Sequence, residues 1–164
     1  MNTRLEKEFV QRLQDHQRLV HKVCRIYTDH PEDHEDLFQD IVMQLWRAYP
    51  SFRAESKFST WAYRVALNTA MTLHRKRHCQ PQVDQEKELH HLLIKAEQSD
   101  AENEKVEALY KAIHLLSDVE KALVMLYLED KSYREMGEIL GISEGNARIK
   151  MMRTREKLKS LIKT

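Results

Sequence analysis

Turn-forming residues are scarce in this chain. Its 164 residues include three prolines and three glycines, and the glycines (Gly137, Gly141, Gly145) all lie within one short stretch. A many-stranded sheet needs more turn chemistry than that, and a glycine-rich phosphate loop has nowhere to sit. Cysteine is equally sparse. Cys24 and Cys79 stand apart with no CxxC. This excludes a disulfide framework and fits the reduced thiols of a cytoplasmic protein. No run of 18 apolar residues occurs, and the start "MNTRLEKEFVQRL" lacks an apolar signal core. Neither a secretion signal nor a membrane insertion is expected. There is no HExxH. His30 with His34, and His74 with His78 beside Cys79, have metal-ligand spacing but no converging fourth ligand, so no metal, cofactor or catalytic residue is assigned.

One further absence is local. From Ser56 to Val83 there is no acidic residue, while Lys57, Arg64, Arg75, Lys76 and Arg77 all fall there. Net charge hides this, because the formal total is only +1. Residues 1–79 hold 13 basic and 10 acidic side chains, residues 80–107 hold 3 and 8, and residues 108–164 hold 11 and 8. Basic ends flank an acidic middle.

What is plentiful favours helix: Leu, Glu, Lys, Arg, Ala and Met, with 41% hydrophobic and 32% charged residues. Helical spacing of Leu5, Phe9, Leu13, Val20, Val23 and Tyr27 predicts one long first helix over about 3–28. Pro31 marks the start of a second helix and Pro50 its end. A loop, "PSFRAESKF", leads to a third helix running to about Arg77. "QPQVDQEKELHHLLIKAEQSD" is polar, acidic and reads as a linker. Four helices follow, the second and third opened by the capping-box pairs Ser117/Glu120 and Ser132/Glu135. Gly141 stops the third of these, and Ser143 caps the last. The fold class is therefore all-α, with two small helical domains joined by a flexible acidic linker.

Six of the twelve aromatics (Trp46, Tyr49, Phe52, Phe58, Trp61, Tyr63) crowd between positions 46 and 63. On a 100° wheel Phe58, Ala62, Val65, Thr69 and Leu73 form an inward stripe. Trp61, Arg64, Asn68, Met71 and Arg75 form a second stripe beside it. Rings next to cations suit unstacked nucleic acid, whose bases stack while its phosphates attract the charges. Equally, Trp61 and Tyr63 read as large core residues. In the C-terminal part, "SYREMGEILGISEGNARIKMMRTREKLK" has the helix, glycine turn and longer helix of a helix-turn-helix unit. Ala147, Met151, Thr154, Leu158 and Leu161 face inward, and Asn146, Arg148, Ile149, Met152 and Arg153 face out. Such a helix fits a DNA major groove, with Lys150, Arg155, Lys157 and Lys159 as backbone contacts or solvated charges. Gly145 reads either as part of that outward surface or as a small residue for close helix packing.

"DLFQDIVMQLWRAYPSFRAESKFSTWAYRVALNTAMTLHRKRH" resembles the second conserved region of bacterial sigma factors, and "LSDVEKALVMLYLEDKSYREMGEILGISEGNARIKMMRTREKLK" resembles their fourth. Their order, with only a short linker between, is that of the extracytoplasmic-function group of the sigma-70 family. The resemblance implies a three-helix region 2-like domain (1–79), an acidic linker (80–104) and a four-helix region 4-like domain (105–164). Asp36, Leu37, Gln39, Asp40, Gln44, Leu45 and Trp46 would then dock on the β′ clamp helices of core RNA polymerase, with Leu37, Ile41, Leu45 and Trp46 partly facing their own core. Phe52, Arg53, Ser56, Lys57, Phe58, Trp61, Arg64, Asn68, Arg75 and Lys76 would take the melted −10 strand, with one base flipped into a pocket. Ser143, Asn146, Arg148, Ile149, Lys150, Met152 and Arg153 would read the −35 duplex.

The implied partners are core polymerase, including its β flap, promoter DNA and an anti-sigma protein, with the free chain a monomer. No catalytic site is implied, since the polymerase performs the chemistry. Two departures touch the −35 side: "GNARIK" places Ile149 on the outward arc, and Gly137 stands where the family has alanine. The competing reading is a stand-alone helix-turn-helix regulator binding duplex DNA without polymerase. A metal-dependent hydrolase using the His and acidic clusters is a third class.

Overall fold

The computed structural model describes residues 3–78 and 101–163, and every regular element within them is helical. Helices α1 (Thr3–Asp15), α2 (Gln17–Tyr27), α3 (Pro31–Ala48) and α4 (Phe58–His78) build the N-terminal unit, with a 3₁₀ turn at Tyr49–Ser51. Helices α5 (Ala101–His114), α6 (Asp118–Leu128), α7 (Tyr133–Leu140) and α8 (Glu144–Lys163) build the C-terminal unit. Most of the expected linker lies outside the described residues, as does Cys79; α5 begins at Ala101, inside the span assigned to that linker.

The single first helix is corrected to two. The chain breaks at His16, which has neither glycine nor proline beside it. Its backbone N–H is shared between the Arg12 and Leu13 carbonyls, and its ring Nδ1 lies 2.9 Å from the Arg12 oxygen. The ring then packs 4.8 Å from that of Phe58. A tertiary contact thus competes with the helical ladder, and the N-terminal unit has four helices rather than three.

Helices α2, α3 and α4 pack pairwise around Val20, Val23, Leu37, Ile41, Leu45, Ala62 and Ala66, and Phe9 of α1 closes one end. In the C-terminal unit α8 packs on α5, α6 and α7 around Ile113, Leu123, Leu126, Met136, Ala147 and Met151. Both capping boxes form. Ser117 Oγ accepts from the Glu120 N–H at 3.3 Å while Glu120 accepts from the Ser117 N–H at 3.0 Å. The Ser132/Glu135 pair closes the same way at 3.1 and 2.9 Å. Each such cap contributes about 1 kcal/mol.

Gly141 ends α7 with φ of +72°, the left-handed value that glycine adopts freely. Gly137 has a different reason. A Cβ there would lie 2.5 Å from the Ile142 backbone oxygen, so the α7–α8 turn is folded tightly over a position that holds no side chain. Its own carbonyl accepts from the N–H groups of Gly141 and Ile142 at 2.8 and 3.0 Å.

The two units pack against each other: α4 meets α7, and α2 meets both α5 and α6.

Candidate nucleic-acid and polymerase interfaces

The crowded aromatics are a core with an open rim. Tyr49 and Phe58 are buried, while Phe52 and Trp61 are partly exposed. Trp61 lies 5.0 Å from Phe52, 5.5 Å from Phe58 and 6.2 Å from Tyr49 between ring centroids. Phe9 extends the cluster at 5.1 Å from Trp46 and 5.2 Å from Tyr49. The Arg12 guanidinium stands over Phe52 and Phe58 at 5.4 and 5.6 Å. The sequence gives no sign of this, because Arg12 is some forty residues from either ring.

Between these rings and α4 the loop exposes Arg53, Ser56 and Lys57. Ala54 reverses the chain there with φ of +56°. A Cβ makes that conformation unfavourable by about 1–2 kcal/mol, so the surrounding loop holds it in place. Phe58, expected to line the loop's pocket, lies in the core at 8% exposure and supports Trp61 from beneath.

Along α4, Arg64, Asn68 and Arg75 are exposed and Trp61 is partly so, and together they occupy one arc of the helix. Lys76 is exposed at its edge, and Arg77 pairs with Asp33 at 3.2 Å. Met71, expected on this arc, is buried instead. Tyr63, Leu67 and Ala70 are buried too, so the inward face is far wider than the expected stripe, in which Val65, Thr69 and Leu73 are only partly buried. The reason is that α4 lies between two bodies: α2 and α3 cover one side, and the C-terminal unit covers the side carrying Tyr63 and His74.

On α3, Asp36, Gln39, Asp40 and Gln44 are exposed and Trp46 is 39% exposed. Leu37 and Leu45 belong wholly to the core, behind that surface. Met43, half exposed, joins the outward arc. Its spacing of three and four residues from Asp40 and Gln39 was the signal that could have found it. The acidic residues Glu32 and Asp33 stand in the first turn of α3, where the helix dipole favours them.

On α8 the expected faces separate cleanly. Ala147, Met151 and Thr154 are buried and Leu158 and Leu161 partly so. Asn146, Arg148, Lys150 and Arg153 are exposed, with Ile149 at 51% and Met152 at 60%. The Thr154 hydroxyl donates to the Lys150 carbonyl at 2.7 Å, which satisfies a buried polar group. Ser143 accepts from the Asn146 N–H at 3.1 Å, so its hydroxyl is engaged as the helix cap. Gly145 is not a packing glycine: a Cβ there would meet nothing within 4 Å.

Several buried groups have displaced titrations. Burial pushes the Cys24 thiol up to about 12, and burial also raises Tyr27 and Tyr63, reinforced by Asp118 and Glu129 respectively. Buried Lys121 is shifted down by desolvation, against the pull of Asp118 and Asp29. Among the described residues no group of three or more metal-ligating side chains converges, and no helix is long and apolar enough to cross a membrane.

Known proteins match both halves in the same order. The family model for sigma-70 region 2 matches residues 13–78, and that for sigma-70 region 4 matches residues 106–158. The extracytoplasmic-function (ECF) RNA polymerase sigma-E factor of Haemophilus influenzae is 30% identical over 160 residues, spanning 88% of this chain and 84% of that protein. ECF RNA polymerase sigma factor SigM of Mycobacterium tuberculosis is 24% identical over 155 residues, spanning 94% of this chain and 76% of its own. The fold resembles that of the sigma factor RpoE solved in complex with the anti-sigma factor NepR from Bartonella quintana. That likeness has a TM-score of 0.72 and 21% identity, over 96% of this chain and 98% of that one. CnrH, solved in complex with the cytosolic domain of CnrY, aligns with TM-score 0.70 and 19% identity over 96% and 89%. With both regions matched in order and the Haemophilus relative covered almost throughout, the chain belongs to the extracytoplasmic-function sigma factors of the sigma-70 family.

Proposed function

We propose that this sigma factor divides promoter recognition between its two units, roughly residues 1–79 and 105–164. The exposed α3 surface of Asp36, Gln39, Asp40, Met43, Gln44 and Trp46 docks on the β′ clamp helices, its acids suited to a basic partner. Loop residues Arg53, Ser56 and Lys57 and the α4 arc of Trp61, Arg64, Asn68 and Arg75 hold the melted −10 strand. The outward face of α8, led by Arg148 and Arg153, reads the −35 element as duplex. The observation that carries this reading is the α4 arc itself: a ring, an amide and two guanidiniums side by side on an acid-free helix. Cations there follow phosphates while the ring stacks on an unpaired base.

An apolar groove in the C-terminal unit, lined by Leu109, Val124, Tyr127, Leu128, Leu158 and Ile162, suits the β flap. An anti-sigma protein is the further partner, in keeping with the complexes in which RpoE and CnrH were solved. The protein supplies binding energy and the polymerase the chemistry, in the cytoplasm. Run-off transcription tests this. Core polymerase with this protein should initiate at specific promoters, whereas tight operator binding by the protein alone, with no effect on core, would favour the stand-alone regulator.

A further inference from the structure

The end of α1 closes the aromatic rim. Phe9 and Arg12 of α1 and His16 just beyond it follow at steps of three and four, so they line one face. Phe9 packs on Trp46 and Tyr49, and the His16 ring lies 4.8 Å from that of Phe58. Between them, in the last turn of α1, the Arg12 guanidinium stands over both Phe52 and Phe58. The break at His16 helps to set this position, because its backbone N–H and its ring both engage the Arg12 carbonyl. Phe9 and Arg12 precede residues 13–78, the span matched by the region 2 family model.

Arg12 is a cation without an acid. Glu8 and Asp15 lie one turn to either side of it, yet it forms no ion pair among the described residues, and Asp15 accepts from Gln11 at 3.2 Å. It is partly exposed. An apolar side chain would brace two phenyl rings as well. A guanidinium adds something else: with its face on the rings it keeps its N–H donors in a rigid fork, and those donors need acceptors. The loop that follows Phe52 exposes Arg53, Ser56 and Lys57, and the rings of Phe52 and Trp61 stay partly open beside it.

We propose that Arg12 is a specificity-determining residue, which reads an unpaired base held at this rim. A fork of two N–H donors matches a base edge with two adjacent acceptors, O6 and N7 of guanine or O2 and N3 of cytosine. Adenine sets its amino donor beside N1 and N7, and that donor opposes the second N–H of the fork. Arg12 therefore favours guanine or cytosine over adenine. This role rests on the reading of the rim as a site for melted −10 DNA, and it adds α1 to the loop and the α4 arc.

The test uses holoenzyme assembled from core polymerase and the full chain, titrated with labelled oligodeoxythymidine carrying one central guanine, cytosine or adenine. The tract lets the odd base slide to the rim. The wild type should bind the guanine or the cytosine probe about tenfold more tightly than the adenine probe, the ratio expected of one bidentate pair. Arg12→Lys keeps the charge and loses the fork, so the probes should converge to within about twofold. Arg12→Gln should tip the ratio toward adenine, whose amino group and N7 match an amide. Far-UV circular dichroism and the thermal midpoint check that both variants fold. A wild type that prefers neither guanine nor cytosine, or an Arg12→Lys variant that keeps the wild-type ratio, would overturn the proposal. So would a uniform loss on all probes, which would make Arg12 a phosphate contact or a brace for the rings. Core polymerase alone binding the probes as tightly as the holoenzyme, together with no run-off transcription by the wild type, would instead remove the sigma-factor reading of the rim, and the role of Arg12 with it.

Discussion

The guanidinium of Arg148 lies 5.4 Å over the ring of Tyr133, across the turn that joins the two helices of the helix-turn-helix. Glu144, one turn earlier on α8, lies 3.7 Å from the same guanidinium. Arg148 is therefore held outward from two sides before any DNA arrives. Replacing it with alanine should weaken upstream duplex recognition by about 1–3 kcal/mol at one or two base pairs and leave other sequences little affected. Tyr133→Phe, which keeps the ring, should leave that preference intact. Footprinting of the holoenzyme on −35 variants reads the outcome, and an equal loss on all sequences would make Arg148 a phosphate contact.

Asn68 and Trp61 separate function from fold. Asn68 is exposed, so Asn68→Ala should leave stability within about 0.5 kcal/mol of wild type while impairing strand opening, as seen by permanganate reactivity of promoter thymines. Trp61 packs against three other rings, so Trp61→Ala should impair opening and also lower stability by about 1–3 kcal/mol. Assembly with core polymerase should survive both changes.

Alkaline pH should destabilise the protein. The Cys24 thiol titrates near 9.0 when unfolded and at about 12 when folded, and Tyr27 and Tyr63 are shifted in the same direction. Groups whose folded values are raised keep the native state favoured below their unfolded values. Between those limits the unfolded chain binds fewer protons, so stability falls as pH rises. The loss for Cys24 approaches about 1.4 kcal/mol per pH unit above pH 9. Urea midpoints between pH 8 and 11 should decline accordingly, and Cys24 should resist alkylation at pH 8 until urea unfolds the chain.

Ser132→Ala should cost about 1 kcal/mol by uncapping α7, measured as a shift in the urea midpoint. Glu135 adds a pH term of the opposite sign to that of Cys24. The Ser132 backbone N–H, accepted by the Glu135 carboxylate, is the main reason its value is lowered. That contribution is present above the ordinary value of 4.5 and disappears as acid protonates the carboxylate.

Gly137→Ala should destabilise by about 1–3 kcal/mol, because the added methyl meets backbone and not a yielding side-chain end. Differential scanning calorimetry of the variant beside Gly145→Ala, where the same methyl meets open space, isolates the effect of that turn.

Local chemistry was legible in the sequence and distant pairing was not. Ser117/Glu120 and Ser132/Glu135 announce their caps within four residues, and the α8 wheel needs only the spacing from Ala147 to Leu161. The α4 wheel misplaced Met71 because a wheel assumes one covering surface, whereas α4 is covered by two bodies. The break at His16 depends on the Phe58 ring, and the seam depends on Lys22 finding Glu129, 107 positions later. The resemblance to two sigma regions supplied the order of the units, but no motif announces that they touch.

Gly145 offers a last consequence. It sits early on α8, facing open space and free of any positive-φ requirement, yet interior glycine costs a helix about 1 kcal/mol relative to alanine. An added Cβ fits there without rearranging neighbours. A mutational walk at this one position therefore has room both to firm the recognition helix and to give it a new letter to read, which makes it a natural starting point for retargeting the factor to other promoters.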